Sequence, residues 1–351
     1  MNQYEKLQAQ LRETPKRWLI TGAAGFIGSH LLEHLLLLDL HVVGLDNFAT
    51  GNQRNLDAVQ GLVSAGQWAR FEFIEGDIRE LKVCQQACAR VDYVLHQAAL
   101  GSVPLSIPDP IRCHESNVTG FLNMLVAGRD NQVARFVYAS SCAIYGNNPD
   151  PAKIETKIGR PLSPYAASKE INEVYATAFA EAYKLETVGL RYFNVFGPRQ
   201  DPDGPYAAVI PKWAASIVNR EPVEIYGDGE TSRDFCYVQN VVQANLLAAT
   251  VNTTGAVNQV YNIAVGNRTT LNQLYRMIQD GLRDLDPELP IQECTHREFR
   301  AGDVRHSLAD VGKAKRLLRY APKYPTSRGL KLTLAWFMSS KLGSERSLCA
   351  K

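Results

Sequence analysis

Trp18-Leu19-Ile20-Thr21-Gly22-Ala23-Ala24-Gly25-Phe26-Ile27-Gly28 decides the fold of this chain. Its first four residues form an apolar run of strand type that enters a glycine turn, and Phe26 to Leu38 then reads as a helix. Each glycine of such a strand–turn–helix unit has its own task. Gly22 allows the tight turn, Gly25 lets a pyrophosphate approach the backbone, and Gly28 permits close packing of helix on strand. The helix N-terminus adds partial positive charge where the phosphates would lie.

Working outward, short β-type runs alternate with helical stretches: Trp18–Thr21, His41–Asp46, Phe71–Glu75, Tyr93–His96, Arg135–Ser140, Glu186–Tyr192 and Tyr261–Ala264. That alternation predicts a parallel sheet covered by helices on both faces. The second run ends in Asp46, 18 residues after Gly28. This is close to the offset of about 20 residues at which a carboxylate grips the ribose hydroxyls of a dinucleotide. A carboxylate there repels a 2′-phosphate, and the next basic residue is only Arg54, so NAD is expected over NADP. Asp77-Ile78 ends the third run in the same way and is expected at the adenine.

Ser163-Pro164 is a helix-start signal, and Tyr165 and Lys169 follow it four residues apart, on one helix face. A phenol titrates near pH 10, so its use as a base near neutrality asks for a lowering worth about 4 kcal/mol. The nearby ammonium of Lys169 is the expected source. The run from Arg135 ends in hydroxyls, and Ser141 stands 24 residues before Tyr165. Its hydroxyl is positioned to bond the same substrate oxygen as Tyr165.

With 351 residues the chain can bury a sizeable core, and about two domains are expected. The net charge of +2, with acids and bases mixed, points to no nucleic-acid surface. The longest apolar stretch, Leu31 to Leu40, is broken by Glu33, His34 and Asp39 and is too short for a bilayer. No signal-peptide pattern opens the chain. Seven cysteines lack paired metal spacing, so no metal is expected. Cys84 and Cys88 read as buried thiols on a helix. These features predict a cytoplasmic, reduced enzyme.

Taken with Gln97-Ala98-Ala99, Leu190-Arg191-Tyr192-Phe193-Asn194-Val195-Phe196-Gly197-Pro198, Gly229-Glu230-Thr231-Ser232-Arg233-Asp234-Phe235 and Arg300-Ala301-Gly302-Asp303-Val304, the motifs resemble the extended short-chain dehydrogenase/reductase superfamily. Within it the chain looks like the nucleotide-sugar epimerases, over about Lys16 to Trp336. The resemblance implies a Rossmann-type doubly wound parallel sheet with a smaller C-terminal α/β lobe. It implies an NAD-binding domain over 1–198, rejoined by about 238–267, and a UDP-sugar lobe from 199–237 and 268–345. Cofactor contacts are implied for Gly22, Gly25, Phe26, Ile27, Gly28, Asp46, Asn47, Asp77, Ile78, Gln97, Ala98, Ala99, Tyr165 and Lys169. Substrate contacts are implied for Ser102, Ser141, Cys142, Ala143, Tyr165, Asn194, Val209, Arg233, Arg300, Asp303 and Ser307.

Relatives that eliminate water carry Asp-Glu after the catalytic hydroxyl, whereas this chain has Ser141-Cys142-Ala143-Ile144-Tyr145. Without that second acid–base pair, the expected chemistry is reversible oxidation at C4 of a UDP-hexose. Related GDP-sugar epimerases use a cysteine two residues before the tyrosine. Cys142 is three before Tyr145 and is expected to pack or line the site. Arg233 and Arg300 suit a diphosphate through bidentate forks.

Ser307 stands where epimerases restricted to glucose and galactose have tyrosine, and serine leaves room for a 2-acetamido group. With Leu100-Gly101-Ser102-Val103-Pro104 and a helix over Tyr4 to Arg12, it resembles the UDP-N-acetylglucosamine 4-epimerase subgroup. Against that subgroup, Cys142 and Ala143 replace two serines, Leu105 replaces an arginine, and Ala167-Ser168-Lys169-Glu170 replaces a Val-Thr-Lys-Tyr run. A UDP-uronate or N-acetylated uronate is the rival substrate, although Asp201 stands where some uronate epimerases have arginine and would repel a carboxylate. An inactive NAD- or nucleotide-sugar-binding protein is the reading of another class. Apolar positions on several faces of the helices after Pro108 and Pro164 (Ile111, Val118, Phe121, Leu122, Leu125; Ile171, Val174, Tyr175, Phe179) predict a homodimer.

Overall fold

The computed structural model describes residues 3–202, 208–299 and 305–348. Seven strands form the central sheet: β1 Arg17–Thr21, β2 His41–Asp46, β3 Phe71–Glu75, β4 Tyr93–His96, β5 Arg135–Ser141, β6 Thr187–Tyr192 and β7 Gln259–Ile263. Their spatial order is β7-β6-β5-β4-β1-β2-β3, and every pairing is parallel. The chain moves outward from β1 to β3 and then crosses back to β4, so β1 and β4 flank a topological switch point. A crevice opens there at the carboxyl ends of the strands.

The principal helices are α1 Gln3–Glu13, α2 Phe26–Leu37, α3 Gly120–Asp130, α4 Pro164–Tyr183, α5 Val209–Val218, α6 Val238–Thr250, α7 Leu271–Leu285 and α8 Thr326–Leu348. Because strand side chains alternate between faces, β1 feeds two cores. Trp18 and Ile20 pack with Leu31 and Leu35 of α2 and Val241 and Val242 of α6. Leu19 points the other way, into a cluster with Phe121 and Met124 of α3 and Phe179 of α4. The expected doubly wound sheet is present, with boundaries within two residues of the sequence reading. Leu7 and Leu11 anchor α1 on the first of these cores.

A third apolar cluster builds a smaller α/β lobe. Trp213 of α5, Leu274, Ile278 and Leu282 of α7, and Leu330 and Leu334 of α8 enclose Phe235 and Tyr237. Short strand pairs brace it: Glu224–Tyr226 with Thr295–Arg297, and Ser232–Arg233 with Thr269–Thr270. A further pair, Leu308–Ala309 with Ala152–Lys153, ties it to the loop after β5. Among the described residues no helix is long and apolar enough to cross a membrane.

Candidate active site

The glycine turn works by exclusion of side chains. Gly22 has φ +72°, where a side chain is strained, and a Cβ on it would lie 2.9 Å from Ala98 N. A Cβ on Gly28 would strike the carbonyl oxygen of Gly22. Gly25 is the N-cap of α2 in extended conformation, so the first turn of α2 opens onto the crevice with no side chain across it.

A cavity of about 790 Å³ occupies that crevice. Asp46, 8 % exposed, sits in its wall; its two oxygens accept from the backbone N–H groups of Ala24 (2.9 Å) and Phe48 (2.8 Å). Burial pushes the Asp46 carboxyl up, and these N–H groups pull it back. Each oxygen keeps a lone pair for a ribose hydroxyl. Asn47 donates to Asp77 at 2.8 Å. Burial opposes ionisation of Asp77, but the Arg79 guanidinium and the Asn47 amide outweigh it and hold the carboxyl below its usual range. Phe26, Ile27, Ile78, Gln97, Ala98 and Ala99 complete this end of the cavity. Glycines that a Cβ would block, an open helix start and an oriented carboxylate are the fittings a dinucleotide needs, and NAD fits them.

At the other end the same cavity receives Ser141, Tyr165 and Lys169. The helix start falls where expected: Ser163 Oγ accepts from Ala166 N at 3.1 Å and Pro164 opens α4. Ser141 closes β5, its Oγ accepting from Ala143 N at 3.1 Å. Lys169, 2 % exposed, donates from Nζ to Ala139 O at 2.9 Å and lies 5.9 Å from the centre of the Tyr165 ring.

The electrostatics depart from the expectation for this pair. Burial pushes the Tyr165 phenol up to about 12, with the Ser141 hydroxyl opposing. Burial also pushes the Lys169 ammonium down to about 8. Lys169 alone therefore does not lower the phenol in the free protein. Burial dominates both groups in the free protein.

Ser102, Cys142, Ala143 and Asn194 also line this end. The Cys142 thiol is pushed up to about 11 by burial and packs beside Phe193 and Ala309, which makes it a lining group and a poor nucleophile. Cys84 and Cys88 are buried as expected, both pushed up to about 12. Val209, Arg233 and Ser307 stand off the cavity wall. Val209 opens α5, Arg233 donates to Ser232 O at 3.0 Å, and Ser307 N–H donates to Ser232 O at 3.1 Å. Arg300 and Asp303 lie outside the described residues. Among the described residues no three His, Cys, Asp or Glu side chains converge as a metal site requires.

Several supporting residues escaped the sequence reading. Asn117 is 1 % exposed in a π-helical turn; its amide donates to Leu100 O (3.2 Å) and Ser168 Oγ (3.1 Å). It clamps the Leu100 loop to the helix that carries Tyr165. Glu173 lies one further turn along that helix face from Lys169. It accepts from Ser140 Oγ at 2.5 Å and pairs with Arg191 at 2.7 Å, fixing the end of β5 against α4. Gln200 and Ala208 extend the cavity wall beside Asp201, which the sequence reading names. Only the acid-plus-arginine composition around Glu173 and Arg191 carried a signal, and it did not specify the pairing.

Residues 18–264 match the NAD dependent epimerase/dehydratase family. The chain belongs to that family. It is 37 % identical to a UDP-N-acetylglucosamine 4-epimerase from Methanobrevibacter ruminantium, solved with UDP-N-acetylmuramic acid, with a TM-score of 0.84 over 93 % of this chain and 99 % of that one. A UDP-glucose 4-epimerase from Thermotoga maritima, solved with UDP-glucose, is 36 % identical with a TM-score of 0.83, covering 92 % of this chain and 99 % of that one. A UDP-glucose 4-epimerase of Mycolicibacterium smegmatis is 32 % identical across 92 % of this chain and 98 % of its own length. The protein is thus an enzyme of an NAD-dependent epimerase family, and its cofactor is NAD.

Proposed function

We propose that the protein interconverts the C4 epimers of a UDP-hexose, with UDP-N-acetylglucosamine and UDP-N-acetylgalactosamine as the preferred pair, through a 4-keto intermediate. The observation that carries this is the convergence of Tyr165, Ser141 and Lys169 at one end of the cavity whose other end fits NAD, with Cys142-Ala143 offering no second acid–base pair beside them. In this reading Tyr165 takes the C4 hydroxyl proton, Ser141 donates to the same oxygen as it becomes a carbonyl, and Lys169 holds the helix end and adds charge. NAD, when bound, supplies the hydride acceptor, returns the hydride, and brings a positive ring charge to the end where burial has raised Tyr165. The assignments of the cofactor and substrate contacts, and of the domain boundaries at 1–198 with 238–267 and at 199–237 with 268–345, are part of the same proposal.

Substrate class rests on two supports. Structural relatives at 36–37 % identity were solved with UDP-sugars. Asp201, which the sequence sets against a uronate, lies in the cavity wall. Incubation with UDP-sugars bearing or lacking 2-acetamido and 6-carboxylate groups, followed by separation of products, tests this reading. Epimers of the acetamido pair are expected, and products from the uronate alone would contradict it.

The same reading includes a cytoplasmic homodimer. Val118, Phe121, Leu125 and Phe179 are used inside the chain's own core, but Ile111 and Val174 remain 71 % and 64 % exposed, with Ile107 and Ile171 nearby in the sequence also exposed. A second copy covering this helical face would bury it in a four-helix contact. Light scattering at micromolar concentration checks this, and an active monomer would exclude it.

A further inference from the structure

Asp234 has no part in the chemistry above, yet it is wholly buried. Its carboxylate accepts backbone N–H groups of Val265 (3.1 Å), Gly266 (3.0 Å) and Ala309 (3.3 Å). Val265 and Gly266 follow the carboxyl end of β7, Ala309 belongs to the segment carrying Ser307, and Asp234 itself follows Arg233. Its main-chain carbonyl accepts from the Asn194 side chain at 3.2 Å, and Asn194, with φ +33°, follows β6 and lines the cavity. The N–H of Cys236 returns to Asn194 O at 3.2 Å, and Ser232 N–H reaches Arg305 O at 2.9 Å. Four segments remote in sequence therefore meet at one residue, and three of them carry residues assigned above to the UDP-sugar.

We propose that the ionised carboxylate of Asp234 is a positioning group that sets the UDP-sugar end of the cavity: it holds the segments of Arg233 and Ser307 against the carboxyl end of β7, beside Asn194, which bonds its main-chain carbonyl. The inference rests on the UDP-sugar reading of the site. A carboxylate is the one side chain that offers only acceptors to converging backbone N–H groups. An amide puts a donor among those donors and leaves at least one buried N–H unpaired, and a protonated carboxyl adds a donor and weakens both acceptors. The ionised form is held against burial, which pushes this carboxyl up to about 6 although the backbone donors pull it down. Substrate binding is thus expected to weaken as Asp234 takes up a proton. Around it stand the Cys142 and Cys236 thiols and the Tyr320 phenol, all pushed up by burial and neutral near pH 7, with the Arg233 guanidinium next in the chain. His306, bonded to Ser232 Oγ at 2.9 Å, is the neighbouring group that titrates in acid, and burial and three arginines keep it below its usual value.

The test is calorimetric binding of UDP-N-acetylglucosamine to the NAD-containing protein, wild type against Asp234→Asn, between about pH 7.5 and about pH 5. Asp234→Asn is expected to weaken binding by about tenfold or more at the upper pH and to raise KM, with kcat within about threefold and NAD content unchanged. Wild-type affinity should fall by about fivefold or more toward the lower pH, and Asp234→Asn should be flat. Equal affinities, or the same pH slope in both, would overturn the inference while leaving the function standing. A wild type that binds no UDP-sugar removes the functional reading and this inference with it. Should Asp234→Asn fail to fold, His306→Gln decides: the acid weakening should persist in that variant, and its disappearance would assign the effect to His306 instead.

Discussion

The two ends of the cavity are built by different means. The dinucleotide end is made of backbone: a turn whose glycines exclude side chains, the open first turn of α2, and Asp46 held by N–H groups of residues 24 and 48. Its central pieces lie within one strand–turn–helix–strand unit. The end proposed for the sugar is assembled from the ends of β5 and β6, the loop after Ala99, and Gln200, Asp201 and Ala208, braced by polar side chains such as Asn117, Glu173 and Asp234. A backbone-built site tolerates little change. A site assembled from separate segments can be retuned one residue at a time, so specificity within one family is expected to vary at this end.

Tyr165→Phe strikes where the two ends meet and should have the largest effect. It removes the proton acceptor and leaves both binding surfaces, so turnover should vanish while NAD and UDP-sugar affinities stay within a few-fold. A variant keeping more than about a tenth of the rate would have lost under about 1.4 kcal/mol of barrier stabilisation, too little for a catalytic base.

Ser307→Tyr probes the sugar end alone. If Ser307 faces the 2-position, overpacking costs about 1–3 kcal/mol for the acetamido sugar and little for UDP-galactose. The ratio of the two kcat/KM values should then move by about 5- to 150-fold. Ser307 stands off the cavity wall, so an unchanged ratio would mean that this residue does not report on the 2-position.

Lys169→Met sharpens the electrostatic side, with the smallest effect. Wild-type Lys169 has its ammonium lowered from 10.5 to about 8 by burial. Below pH 8 the folded protein carries the full cost of that buried charge, about 3 kcal/mol, and the cost fades as pH rises from about 8 to 10.5. Without ligand, Lys169→Met should melt above wild type at pH 7, and the gap should close toward pH 10. Its residual activity should have a higher pH optimum. A variant that melts lower at pH 7 would show that the bond to Ala139 O outweighs the buried charge.

The same contrast explains what the sequence made legible. Strand and helix positions followed from apolar periodicity and the capping pair Ser163-Pro164, and Asp46 from its distance to the glycine turn, because these are properties of neighbouring residues. Asn117 meets Ser168 across 51 positions and Asp234 meets Ala309 across 75, and no local pattern announces such pairings. The raised phenol of Tyr165 was hidden for a related reason. The spacing places a cation one turn away, but only the folded crevice supplies the burial that outweighs it.

The central claim, oxidation and reduction at one carbon, is tested most directly with UDP-N-acetylglucosamine carrying deuterium at C4 and turned over in ordinary water. The deuterium should remain at C4 of the UDP-N-acetylgalactosamine formed, because the hydrogen that leaves this carbon returns to it without exchanging with solvent. Loss of the label to water, or an epimer inverted at another carbon, would contradict the account.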